Sequence, residues 1–190
     1  MKTLQRKGDR HNHKIWFLLK PMQFIALLLM GIELGVSYSH LIQLPGKSQL
    51  SVVMFIAVQN VLIKYKVGLG IAEIGSFLTM LVILWLVRTK TLIFRLTLSA
   101  FLMLVAAFSV WGIFIEPINA VVDAWTASSY PTNWTQYRDR WHLFHIIRLI
   151  LLTMGMGSLI SSVLVKKLNL QNLLKGFHSD LIFLCHCCLV

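Results

Sequence analysis

Charge is scarce in this sequence. Asp, Glu, Lys and Arg make up 13% of its 190 residues, about half the share found in soluble domains. Acids are the rarer sign, seven against eighteen Lys and Arg, for a net charge of +11. Cysteine is scarce too: Cys185, Cys187 and Cys188 crowd into the last six residues, which excludes a disulfide framework. The order Cys185-His186-Cys187-Cys188 lacks the two-residue spacing of structural zinc sites, so reduced, solvated or palmitoylated cysteines are expected there. No Glu-x-x-His and no two histidines four apart occur, so metal ligands would have to come from separate helices. No cofactor is expected, and a metal held between helices is the alternative. There is no internal repeat.

What the chain has instead is hydrophobic runs, 57% apolar residues in all. Several are long enough to cross a hydrocarbon core of roughly 30 Å. The basic residues sit at the ends of these runs and not on a folded soluble domain, which argues against a nucleic-acid partner and for membrane lipid. The expectation is an all-α transmembrane four-helix bundle with an additional short interfacial helix. Residues 1–21 form a basic segment, 22–165 the membrane domain and 166–190 a tail. Spans are expected at about 22–42, 68–87, 96–115 and 146–165. The first is too long for the apolar region of a signal peptide and lacks a small-residue cleavage site. The second helix candidate, Val52 to Ile63, is too short to cross. Glu116-Pro117 is expected to end the third span, because proline disfavours helical geometry in the residue before it, and an outer loop carrying Asn119, Asp123 and Trp125 is expected to follow. Six Lys and Arg lie in the first twenty residues, three between Arg88 and Arg95 and three in the tail, twelve of the eighteen. That bias predicts a multi-pass protein of the cell membrane with both termini cytoplasmic.

The polar residues within these runs carry the functional signal. With Trp134 onward helical and Asn133 as its N-cap, Trp134, Arg138, Trp141, His145 and Arg148 fall at steps of four, three, four and three. At roughly 100° per residue they share an arc of about 80°, with Gln136, Arg140 and Leu143 on the opposite side. Taken singly, each fits an interfacial belt of tryptophan and snorkelling arginine. Together on one arc, running into the apolar sequence after Ile146, they point to a pocket. Glu33, His40, Gln43, Gln59, Glu73 and Asn119 are expected in the same outer half of the bundle. An unpaired charge in hydrocarbon costs several kcal/mol, so Glu33 and Glu73 are expected to face the interior and to be paired.

Asn119, then Trp134, Arg138, Trp141, His145 and Arg148 entering an apolar helix, resemble the motif of the anthrone oxygenase-like membrane proteins. Ser39-His40, Pro45-Gly46-Lys47 and Gln59-Asn60 are similar to that family as well, and the likeness covers about residues 22 to 165. It implies a four-helix membrane bundle and, as in fungal relatives, oxygenation of a flat polyphenolic anthrone to an anthraquinone without metal or flavin. Read for such monooxygenase chemistry, His145 is the natural base, its unperturbed pKa lying near neutrality. Arg148 and Asn119 can hold a developing oxyanion, and Trp134 and Trp141 offer flat faces to an aromatic ligand. Arg138, His40 and Gln59 complete the substrate contacts, and Glu33 or Glu73 can orient the imidazole. The competing class is a non-enzymatic membrane protein: a lipid or quinone binder, or a small transport or channel subunit.

Overall fold

A computed structural model describes residues 2–63 and 66–165, with side chains described for 17–61 and 70–165. The cysteine-bearing tail lies outside the described residues. Six α-helices account for most of the described residues: α1 (Lys2–Lys47), α2 (Val52–Ile63), α3 (Lys66–Val87), α4 (Thr91–Val110), α5 (Glu116–Asp123) and α6 (Trp134–Leu164). Among the described residues, four helical stretches are long and apolar enough to cross a membrane, Phe17–Lys47, Gly70–Val87, Thr91–Asp123 and Trp134–Leu164. The chain is a multi-pass membrane protein.

Two prolines near the helix ends do not break them, and at Pro117 this differs from expectation. The helix of the first span continues through Pro45 to Lys47; Ser48 then closes it, its N–H donating to Leu44 O (2.9 Å) and its hydroxyl to Pro45 O (2.8 Å). The third span does not stop at Glu116-Pro117. A π turn, Trp111–Ile115, joins α4 to α5 and the helix runs on to Asp123, with Glu116 in ordinary helical geometry (φ −64°, ψ −39°). A proline in the first turn of a helix forfeits no hydrogen bond, and the wider π turn before it lets α5 restart its own bonding. Asn119 therefore sits on a helix and not in a loop.

Four helices close a ring in which α1 packs on α3 and α6, and α4 packs on α3 and α6. Their shared interior is apolar: Met30, Met80, Ile83, Ala100, Leu104, Leu152 and Leu159 are all sealed from solvent. Helices α4 and α6 approach closely at Gly155, where a Cβ would stand 3.2 Å from Met103 Cβ and 3.4 Å from Ala100 O. Leu28, Ile74, Leu78, Trp85, Leu102 and Ile150 face outward, as lipid-facing positions should. A second apolar cluster caps one end: Phe55 and Ile56 of α2 meet Val122 and Trp125, with Trp134 and Tyr137 of α6 against them. This capped end, hereafter the α5 end, holds nearly all the polar residues singled out from the sequence.

Candidate functional site

One face of α1 carries Glu33, Ser37, His40 and Lys47, at steps of four, three and seven. It meets Glu73 and Ser76 of α3 and Trp141, His145 and Arg148 of α6. The deepest layer is ionic. Arg148 Nη2 donates to Glu73 Oε1 at 2.9 Å and stands 4.0 Å from Glu33 Oε2, while Ser76 Oγ donates to Glu33 Oε1 at 2.7 Å. All three charged side chains are buried. Two carboxylates around one guanidinium are tolerable in hydrocarbon because each has a partner. Both acids face the interior, as their sequence positions require. Neither hydrogen-bonds His145, however: the carboxylates are engaged by Arg148 and Ser76, and Arg148 in turn spends Nη2 on Glu73.

One turn toward the α5 end lies a layer of rings. The His145 imidazole is 4.0 Å from the Trp141 ring and 4.3 Å from that of His40, and His40 and Trp141 meet edge-on at 5.0 Å. His145 is 7% exposed, and both of its ring nitrogens are buried without a hydrogen-bond partner. His40 Nδ1, His142 Nε2, Lys47 Nζ and Gln59 Oε1 are likewise buried and unpartnered among the described residues. Such a concentration of unsatisfied polar atoms is uncommon in a native interior and calls for an explanation in function.

The rim is held by a chain of hydrogen bonds. Trp141 Nε1 donates to Asn119 Oδ1 at 2.8 Å, and Asn119 Nδ2 donates to Glu116 Oε2 at 3.1 Å. Asn119 thus fixes the indole of Trp141 and has its own amide committed. Trp134 and Arg138 belong to the cap: Trp134 packs on Phe55 at 5.8 Å, and Arg138 stacks over Trp134, pairs with Asp139 and donates to Ser48 O at 3.0 Å. The five-residue stripe therefore divides, with Trp141, His145 and Arg148 inside the bundle and Trp134 and Arg138 tying α6 to α2 and to the end of α1. Gln136, Arg140 and Leu143 are exposed, as the arc demands, and so is Gln43. Asn133 precedes α6 but makes no side-chain cap.

Comparison with protein-family models, with curated proteins and with solved structures finds no match. What the site can do chemically follows from its residues. It combines proton acceptors and donors in His145, His40 and His142, an indole face in Trp141 and an ammonium in Lys47. Among the described residues, no three His, Cys, Asp or Glu side chains are placed to hold a metal ion. Lys47 entered the sequence reading only within Pro45-Gly46-Lys47, and His142 and Ser76 were not singled out. Each carried a signal: Lys47 stands seven residues after His40, His142 three before His145 and Ser76 three after Glu73.

Proposed function

We propose that this protein is a cofactor-independent monooxygenase of hydroxyaromatic rings, of the anthrone oxygenase-like family. On this reading it lies in the cell membrane with both termini cytoplasmic and its site toward the outer face. The observation that supports the chemistry best is His145, set between Trp141 and His40 with both ring nitrogens buried and unbonded. An imidazole whose lone pair is not already spent can take a proton from a ring stacked on the neighbouring indole. The dry surroundings strengthen each charge interaction that follows.

The reaction balances without a metal, a flavin or a reductant. His145 removes a proton from the anthrone CH2, and the resulting electron-rich anion gives one electron to O2. The radical and superoxide recombine as a peroxide on that carbon, which takes the proton back. Loss of the remaining C–H proton, with cleavage of the O–O bond, leaves a carbonyl and releases water. One oxygen atom enters the ring and the other leaves as water.

The test is oxygen uptake by membranes containing the protein when a reduced anthrone is supplied. Uptake coupled to the visible absorbance of the anthraquinone is the expected result, above that of membranes without the protein. If no hydroxyaromatic provokes uptake, the polar cluster serves binding or structure, and the reading becomes a lipid or quinone binder or a transport subunit.

A further inference from the structure

Lys47 is 6% exposed, and its Nζ has no hydrogen-bond partner among the described residues. The Trp141 ring lies against it, its centroid 5.1 Å from Nζ. Among the described residues no carboxylate pairs with it. His40, His142 and His145 all lie within its electrostatic reach, and Arg148 acts on His40 and His145 as well. The nearby carboxylates are spent elsewhere, Glu33 and Glu73 on Arg148 and Ser76, and Asp139 on Arg138. A buried ammonium without an anion costs several kcal/mol, and a cation–π contact returns only about 0.5–2 kcal/mol.

We propose that Lys47 is the oxyanion-binding residue of the site, pairing with the ionised hydroxyl of a bound phenolic ring; this rests on the hydroxyaromatic reading above. The two groups expected in that role are less suited to it. Arg148 is clamped by Glu73, and Asn119 is held between Trp141 and Glu116. Lys47 has none of its three donors engaged, and it touches the same indole as His145. Base and cation thus share one stacking surface, the base at 4.0 Å and the ammonium at 5.1 Å from the ring. On this proposal a ring bound beside Trp141 reaches both. Its proton leaves toward His145 and its anionic oxygen turns to Lys47. Ligands without an ionisable hydroxyl forgo the second contact, which makes Lys47 a determinant of substrate class.

The experiment uses the full chain in lipid nanodiscs with two stable dyes, a hydroxyanthraquinone and its unsubstituted parent anthraquinone. Lys47→Met keeps the length of the side chain and removes the charge, and Lys47→Arg keeps the charge. The expected result is a loss of about ten- to a hundredfold in hydroxyanthraquinone affinity for Lys47→Met, the size of one charged hydrogen bond. Affinity for the parent dye should be unchanged, and Lys47→Arg should recover most of the loss. Melting of Lys47→Met should be equal to or above wild type, since an unpaired charge has been replaced by an apolar chain. Equal loss for both dyes, or no loss for either, overturns the assignment while leaving the ring site intact. So does a drop in melting that Lys47→Arg does not repair, which marks a structural lysine. If native mass spectrometry shows that Lys47→Met instead sheds a bound anionic lipid, the oxyanion is a headgroup phosphate and the phenolate assignment is wrong. If wild type binds neither dye, the hydroxyaromatic reading and the Lys47 assignment fall together.

Discussion

Arg148 is the residue on which the interior charges depend. It faces Glu73 at 2.9 Å and Glu33 at 4.0 Å, so Arg148→Met would leave two buried carboxylates without a cation. Breaking a buried pair from one side costs about 3–5 kcal/mol. The expected outcome is a sharply lowered melting temperature in detergent, or loss of the protein from the membrane. Arg148→Met combined with Glu73→Leu should recover a substantial part of that loss, because the stranded charge is removed with its partner. A single variant that melts like wild type would show that the triad does not hold the bundle. The helical steps from Trp134 to Arg148 were readable because residues on one arc of one helix are fixed by its 3.6-residue turn. Which group each acid meets was not readable. Glu33 and Glu73 were expected to be paired, with one or the other able to orient the imidazole; both meet Arg148, and Ser76 takes Glu33, since depth and rotation of α1 and α3 against α6 belong to no single stretch of sequence.

The helices follow the same division. The bounds of α2 and α6 were legible because polar residues punctuate them: Ser51 before Val52, lysines after Ile63, and Asn133 before Trp134. Proline misled at Pro117, where the π turn before α5 absorbs a residue that ordinarily breaks a helix. The cost was Asn119, placed in a loop when it rides on α5 facing Trp141. The flanking charges of the elements predict their orientation. Arg88 and Lys90 follow α3, while the turn between Thr126 and Ser129, which closes on itself through two backbone bonds, carries no charge. A reporter fused after Arg88 should therefore read as cytoplasmic and one inserted near Ser128 as external. The reverse pattern would turn the bundle over and place the site on the cytoplasmic side.

At the scale of the molecule, the bundle keeps two functions apart. The half away from the α5 end is a sealed apolar core, drawn tight at Gly155, while the α5 end gathers the imidazoles, the buried lysine and the ionic triad beneath a cap of Phe55, Trp125 and Trp134. The composition announced four apolar helices. The closed ring α1–α3–α4–α6 depended on side-chain fit between distant segments and had to be seen. The most direct measurement is the oxygen uptake of His145→Gln set against Arg140→Gln, with melting recorded on the same preparations. Both residues lie on α6 within two turns of each other, but His145 is buried among rings and Arg140 is exposed. The account predicts that His145→Gln abolishes anthrone-dependent uptake with melting unchanged, and that Arg140→Gln alters neither. Uptake that survives in His145→Gln, or a sharp fall in its melting temperature with no uptake in wild type, would contradict it.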